Sequence, residues 1–349
     1  MIDFRYHVVS LIAVFMALAV GIVLGAGPLR DTIGETLTGQ VEDLRADRDE
    51  LRADLGAAEA EINERTAYLQ ESAGVLLAGA LTDRSVAVVT LPQTSEEHVE
   101  SIREFLSEAG AQVVGEVAVT EAWTDPDTRS FRQTFAGQLA GYLDTEPADD
   151  AGTELVLGTA LGTALTESEA DELSDDAQTL LDLLTSAEAP LITVTSELSG
   201  PADATVLVGP PPAEQPAEGD QQEESDAEQQ RRAAYVDLAQ GLAGTDSVTV
   251  GAAASERDLV TAIREDEAAA DTTTTVDNIG EITASISTPL ALAVSISGSS
   301  GAYGFQEGAQ EPVPPRVELP EDTIDVGPDP PQISPEDQTA GSSEEQTDQ

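Results

Sequence analysis

The side chains that could do metal or nucleophilic chemistry are scarce in this 349-residue chain. It contains no Cys, no Lys, two Met and two His. Without Cys there are no disulfides, thiolate metal sites or thiol nucleophiles, and without Lys there is no P-loop lysine and no Schiff base. Soft metal ions prefer sulfur donors, and imidazole is the other common ligand. Because Met1, Met16, His7 and His98 include no pair at ligand spacing, we predict no metal, cofactor-binding or catalytic residues and no enzymatic activity.

Three polar features remain as candidates for a binding or structural role. His98 is predicted to be an exposed residue of an amphipathic helix. Asp277 and Asn278 follow a predicted strand, where α/β proteins bind ligands, although short polar side chains there also cap turns. The segment 298–304, GSSGAYG, could cradle an anion through backbone amides or form a flexible loop. The predicted strand that ends at Leu91 is followed by PQTSEEH, so the Gly-rich dinucleotide fingerprint is missing there.

The charge of the chain argues against one class of partner. The formal net charge is −52, and like charges on this scale repel the phosphates of nucleic acids. We therefore predict no nucleic-acid partner. The same charge fits adaptation to a salty environment, where screening removes the repulsion, or a GC-rich genome that replaces Lys with Arg, combined with acidic tails.

Residues 8–28 are predicted to form a transmembrane anchor helix. They carry no charge and one hydroxyl, and twenty helical residues span roughly 30 Å, the thickness of the hydrocarbon core. The apolar region of a cleaved signal peptide is usually shorter, about 7–15 residues, so a retained anchor is favoured, with the N-terminus inside and the body outside. Ala17, Gly21 and Gly25 lie four apart on one face and would let helices approach closely. His7 is expected at the membrane interface.

Residues 33–72 are predicted to form a coiled coil. Apolar residues recur there at alternating spacings of four and three, with interruptions at Arg48 and Arg65, which is a heptad pattern. A helix of this length, about 50 Å, is marginal alone in water. It needs a partner, which is either another copy of the chain or its own globular domain, and we expect a homo-oligomer. The apolar seam consists of Leu37, Val41, Leu44, Leu51, Leu55, Ile62 and Leu69.

Residues 73–305 are predicted to form an α/β domain. Strands are expected over 85–91, 112–119, 191–195, 204–208 and 248–250. Helices are expected over 96–109, 129–143, 167–187, 235–242 and 258–264. This alternation implies a doubly wound, mostly parallel sheet. The segments 209–230 and 306–349 are rich in Pro and acidic residues and cannot bury enough apolar surface to offset chain entropy. They are expected to be a flexible acidic loop and a disordered acidic tail.

Motifs at both ends of the predicted folded region resemble a known family. One block, residues 3–7 (DFRYH), runs straight into the apolar helix, and the other, residues 275–278 (TVDN), joins a predicted strand end to the glycine-rich stretch 298–304. These motifs, and the order of anchor, coil, α/β body and tail, resemble the actinobacterial copper transport protein B family, also called the mycobacterial outer-membrane copper channel family. The resemblance covers most of residues 1–305. The motif positions are Asp3, Phe4, Arg5, Tyr6, His7, Thr275, Val276, Asp277, Asn278, Gly301, Tyr303 and Gly304.

The resemblance implies a role in copper homeostasis, attachment to the cell envelope, and export or exclusion of copper through an outer-membrane channel. Copper would then be the transported ion, not a resident cofactor. The residues alone fit a plasma-membrane anchor as well. They also leave a second interpretation open, in which the chain is a non-enzymatic coiled-coil scaffold or adaptor of the envelope whose body binds a partner.

Overall fold

The computed structural model divides the chain into two compact units, Met1–Tyr68 and Leu69–Gln349. The boundary lies within a long helix. The residues that the structure describes are 4–26, 29–143, 145, 147–148, 151–170, 172–186, 189–212 and 225–320.

The N-terminal unit is entirely helical where it is described. The first helix, α1 (Phe4–Ala26), is apolar, and its described side chains are exposed. It is long and apolar enough to cross a membrane over Phe4–Val23, and none of that window is buried. The predicted N-terminal apolar helix is therefore confirmed. The second helix, α2 (Leu29–Leu77), is 49 residues long, and its last turns belong to the second unit.

The second unit is a mixed α/β body built on a seven-stranded sheet. Its strands are β1 (Ser85–Thr90), β2 (Gln112–Val119), the short pair β3 (Ser168–Glu169) and β4 (Glu172–Leu173), β5 (Ile192–Ser196), β6 (Ala204–Val208), β7 (Ser247–Val250), β8 (Thr274–Val276) and β9 (Ala302–Tyr303). Its helices are α3 (Glu96–Glu108), α4 (Arg129–Leu139), α5 (Thr153–Thr166), α6 (Asp175–Ser186), α7 (Asp226–Ala243), α8 (Leu259–Glu265), α9 (Glu267–Thr272) and α10 (Ile282–Ile296). Short 3-10 helices lie at Glu121–Trp123, Pro126–Thr128 and Ala140–Tyr142.

The main sheet has the strand order β5-β2-β1-β6-β7-β8-β9. All neighbouring strands are parallel except β5, which runs antiparallel to β2 at one edge. The mixed α/β class and the mostly parallel sheet are therefore confirmed. The central strands are buried along nearly their whole length, as expected for parallel strands with both faces covered.

Helices cover both faces of the sheet and form two apolar clusters. One cluster joins a face of the sheet to α4, α5, α6, α7, α8 and α9, with Trp123 fully buried inside it. The other joins the opposite face to the end of α2, to α3 and to α10. The helices α5 and α7 cross closely at two glycines, Gly158 on α5 and Gly241 on α7. A Cβ on Gly241 would lie 2.6 Å from the carbonyl oxygen of Leu155.

One predicted helix of the body is wrong, and two helices were not predicted. The helix predicted over 167–187 is the β3–β4 hairpin followed by α6, because Ala170 adopts a positive φ of 53° and turns the chain. The helix α5 before it was not predicted. The helix α10 was also missed, since it is buried on nearly all sides and contains Pro289, so it lacks the one-sided apolar pattern of a surface helix.

Parts of the segments predicted to be a flexible loop and a disordered tail form defined structure. Of the loop 209–230, residues 226–230 belong to α7, which Ser225 and Glu228 start with a reciprocal capping box. Residues 213–224 lie outside the described part. Of the tail 306–349, residues 321–349 lie outside it.

Residues 312–320, the C-terminal strap, are held on the body and differ from the predicted disordered tail. Arg316 donates hydrogen bonds to the carbonyl oxygens of Leu76 and Ala78 at the end of α2, and Arg84 donates to that of Pro320 at 2.6 Å. Val317 and Leu319 pack against the cluster that contains α3 and α10.

Candidate functional site

The motif residues of the body meet at the carboxyl end of β8. Asp277 follows this strand directly and is 1% exposed. Its carboxylate forms an ion pair with Arg264 at the end of α8, with 2.9 Å between Nη1 and Oδ2. A buried carboxylate requires such a partner, because an unpaired charge in the protein interior is costly. Sequence reasoning identified Asp277 but missed Arg264.

Arg264 connects β8 and β9, the last two strands of the sheet. Its Nε donates to the hydroxyl of Thr275 at 3.2 Å, and its Nη2 donates to the carbonyl oxygen of Tyr303 at 2.9 Å. Its Nη1 also reaches the carbonyl oxygen of Glu307 at 3.2 Å. The guanidinium therefore fastens α8, β8, β9 and the following turn together. We name Arg264, Thr275, Asp277 and Tyr303 the Asp277 junction.

The glycine-rich stretch leads into an anion cradle, but the anion is a side chain of the same protein. The backbone amides of Phe305 and Gln306 donate to the two carboxylate oxygens of Asp277 at 2.9 and 3.0 Å. The side-chain amide of Gln306 donates to Asn278, which has a positive φ of 61°. These amides lie just beyond the predicted segment 298–304. Asp277 and Asn278 therefore organise a turn, as short polar side chains commonly do.

Two glycines allow this close approach. Gly304 has a φ of +131°, and a Cβ there would lie 2.0 Å from Oδ1 of Asp277. At Gly301 a Cβ would lie 2.5 Å from the hydroxyl oxygen of Tyr303. Burial raises the pKa of that tyrosine. The remaining motif residue, Val276, is 1% exposed and packs in the apolar cluster with α3 and α10.

Metal ligation at this junction would have to displace existing bonds. Asp277 already accepts hydrogen bonds from Arg264, Phe305 and Gln306. Among the described residues there is no group of three or more His, Asp or Glu side chains that could hold a metal ion. The arrangement is suited to joining the last strands of the sheet, not to acid–base chemistry.

His98 lies in a different environment from the one predicted. It is half-buried, not exposed, and its imidazole lies against Gly280, where a Cβ would be 2.8 Å from Nε2. Its Nδ1 is buried and has no hydrogen-bond partner among the described residues. The positive φ of 93° at Gly280 is a long-range requirement that no local pattern around His98 indicates.

The N-terminal motif lies in the first turns of α1. Phe4 and Tyr6 are 80% and 78% exposed, and Arg5 and His7 are exposed as well. Asp3 lies outside the described residues. Further along α1, a Cβ on Gly21 or Gly25 would meet no described atom within 4 Å. Both glycines therefore leave room for a neighbouring helix.

The predicted coiled-coil seam is exposed along most of α2. Its exposed members are Val41, Leu44, Leu51, Leu55 and Ile62, with exposures from 44% to 68%. Leu69 instead packs against the cluster that contains α3 and α10. The side chain of Leu37 lies outside the described part of the chain. An exposed apolar row of this length is typical of a helix whose partner is another chain.

These features define a class of protein: an α/β body on a helix-covered parallel sheet, preceded by an apolar helix long enough to span a membrane. Comparison with known proteins gives the family. The model of the family described as "Copper transport outer membrane protein, MctB" matches residues 1–314, and the chain belongs to this family. The predicted family is thereby confirmed.

Named relatives support the same assignment. The "Copper transporter MctB" of Mycobacterium leprae is 32% identical over 320 residues, which cover 88% of this chain and 98% of the relative. Proteins with the same name from Mycobacterium bovis and Mycobacterium tuberculosis H37Rv are each 28% identical over 216 residues, which cover 60% of this chain and 68% of each relative.

Proposed function

We propose that this protein is a membrane-anchored, non-enzymatic component of copper transport in the cell envelope. The observation that carries the proposal is the family match over residues 1–314, together with a relative named a copper transporter that aligns over 98% of its length. The apolar helix α1 supports the membrane part of the proposal, since its window Phe4–Val23 is exposed throughout.

The proposed working form is a homo-oligomer, and a copper path would form between copies at the anchor helices. A single apolar helix cannot enclose a path, so several copies are required. The seam on α2 is suited to hold them, because burying each leucine would contribute about 1.5–3 kcal/mol. Gly21 and Gly25 would let the anchors pack closely. The body is proposed to lie outside the membrane.

In this proposal the body does not store copper. From residue 73 onward the sequence contains no Cys, no Met and one His, His98. Cu(I) prefers thiolate and thioether ligands, and a ligating His is normally oriented by a partner at its other nitrogen. Nδ1 of His98 has no such partner among the described residues. Copper is therefore cargo, and the body acts by assembly or by binding something other than the metal.

A second candidate function is a coiled-coil scaffold of the envelope. The exposed seam on α2 favours it, because a 49-residue helix sets a distance of about 70 Å whether or not copper passes. In that case loss of the protein would disturb a partner and not the metal.

Copper content and tolerance in a strain that lacks the gene test the proposal. We expect the deletion to change both, and the full chain to restore them. A version whose residues 4–26 are replaced by a cleavable export signal should be secreted and fail to restore them. The variant His98→Ala should restore them fully. Normal copper content and tolerance in the deletion strain would contradict the proposal and favour the scaffold.

A further inference from the structure

The last turns of α2 have two apolar sides, and the body covers only one of them. Ala73 and Leu77 are fully buried and belong to the cluster that contains α3 and α10. Val75 is 83% exposed and Leu76 is 45% exposed. Ser72, Val75 and Leu76 have the spacing i, i+3, i+4 and therefore lie on one face of the helix. We name these three residues the α2 end face.

The exposure of this face is unusual for a part of the body. Val75 is more exposed than any described large apolar side chain of α1, where the highest value is 80% at Phe4. A Cβ on Gly74 would meet no described atom within 4 Å, so the neighbouring side of the helix is open as well. Apolar residues scattered singly on a surface are normal. Two adjacent ones on a helix whose other side is fully buried indicate a second interface.

The charges around the α2 end face argue against a lipid surface as its partner. Between Arg65 and Arg84 the chain carries no basic residue, and its acidic residues there are Glu71 and Asp83. Helices that lie on membranes carry basic residues on their polar side, which are attracted to anionic lipids. The last turns of α2 lack this feature.

The lack of charge on the face favours a second copy of this chain. The formal net charge is −52, so most surfaces of two copies repel each other. In a two-fold symmetric pair, each surface patch meets its own counterpart. Contact between copies is therefore favoured where the patch is uncharged, and Ser72, Val75 and Leu76 are such a patch.

The α2 end face also continues the heptad spacing of the exposed seam. Leu76 follows Ile62 by two heptads, and Ile62 follows Leu55 by one. In a parallel pair of helices, residues at this spacing meet their counterparts along one line, and two copies anchored by α1 in one membrane are parallel. Leu69, at the heptad position between Ile62 and Leu76, packs against the body. The contact would therefore resume at Leu76.

We propose that the α2 end face binds the same face of a second copy, in parallel and in register. The inference rests on the proposed homo-oligomer and extends it, because the bodies are then joined as well as the N-terminal helices. Ser72 and Leu76 meet their counterparts, and Val75 packs at the edge of the contact. The opposite side of each helix, at Ala73 and Leu77, stays inside its own body.

Cysteine cross-linking of the full chain in detergent tests the inference, since the chain has no Cys of its own. Leu76→Cys should give a disulfide-linked dimer on mild oxidation, because the position faces its counterpart and a disulfide requires Cα atoms within about 7 Å. The matched control is Gly74→Cys, which lies on the outer side of the same turn and should give little dimer. Adding Val75→Asp to Leu76→Cys should reduce the dimer severalfold, because it places like charges at the contact.

Dimer from Leu76→Cys with little from Gly74→Cys supports the inference, and equal dimer from both overturns it. A product in native membranes whose mass differs from two copies of the chain also overturns it, since another protein would then be the occupant. If Leu51→Cys on the seam cross-links and Leu76→Cys does not, the inference fails and the proposed homo-oligomer stands. If neither cross-links, both fail. Thermal unfolding checks that each variant folds, and Ser72→Cys replaces Leu76→Cys if the latter does not.

Discussion

The two units place the same side chains in opposite environments. Leu44 and Leu51 on α2 are 66% and 68% exposed, whereas Leu77 and Leu81 in the body are fully buried. Burial of apolar surface is the main favourable term in folding. The body therefore completes most of its apolar contacts within one chain. The large apolar side chains of α1 and most of those of the α2 seam are exposed, and we propose that a bilayer or another chain covers them.

Ion pairs show the same difference. Arg48 and Asp49 on α2 pair at 2.7 Å with more than half of each side chain exposed, and such a pair contributes about 0–1 kcal/mol. Arg264 and Asp277 pair at 2.9 Å with 5% and 0% exposed. Removing one partner of a buried pair leaves an uncompensated charge. Similar distances thus have very different consequences.

The largest effect is expected from Asp277→Asn. The substitution keeps the size of the side chain but leaves the buried guanidinium of Arg264 without its counter-charge, which should lower the free energy of unfolding by about 3–5 kcal/mol. Denaturant unfolding of the full chain in detergent measures the change. The control Asp49→Asn should change it by less than about 1 kcal/mol. Equal effects of the two variants would remove the distinction between the units.

A smaller effect is expected from Gly241→Ala at the crossing of α5 and α7. The new Cβ would lie 2.6 Å from two backbone atoms, the oxygen of Leu155 and the nitrogen of Thr159. Overpacking of this kind typically costs about 1–3 kcal/mol. The control is Gly137→Ala in α4, where a Cβ meets nothing within 4 Å. That variant should stabilise by about 0.5–1 kcal/mol, and destabilisation by both would show that the crossing is not the cause.

The smallest effect on folding is expected from Leu51→Cys. Leu51 is exposed, so the free energy of unfolding of the body should change by less than about 0.5 kcal/mol. Since the chain has no other Cys, mild oxidation should link two copies through this position if the seams pair. A disulfide requires Cα atoms within about 7 Å.

The matched control for the cross-link is Ala53→Cys, which lies on the outer side of the predicted heptad. It should give little dimer on a denaturing gel. Adding Leu44→Asp to Leu51→Cys should lower the yield, because it places a charge in the seam. Equal dimer from Leu51→Cys and Ala53→Cys would contradict pairing through the predicted seam.

Local patterns predicted the strands of the sheet centre well. The expected ranges for β1, β2 and β6 agree with the structure to within one residue, because buried parallel strands are continuous apolar runs. The same rule failed for α10, whose Ala, Ser and Thr residues are buried on nearly every side. The antiparallel direction of β5 could not be predicted from the local sequence pattern either, because pairing at a sheet edge is decided by contacts distant in sequence.

The candidate sites show a similar limit. Asp277 could be selected because it follows a strand and belongs to a recognisable motif. Arg264 could not be selected in this way. It is the basic residue in the last turn of α8, and the sequence does not show that its guanidinium is buried and so needs a carboxylate partner. Arg231 and Arg257 come from α7 and from the loop after β7 and line the same cavity, and only the order of the strands in the sheet brings them together.

The C-terminal strap holds the two ends of the body next to each other. Arg316 and Pro320 are bonded to Leu76, Ala78 and Arg84, so the chain enters and leaves the body at one place. Neighbouring ends of this kind are what circular permutation and domain insertion exploit. A protease that removes residues 321–349 would leave these hydrogen bonds in place. Removal of residues 316–320 as well would take away Arg316 and Pro320 and, with them, the hydrogen bonds that hold the two ends of the body together.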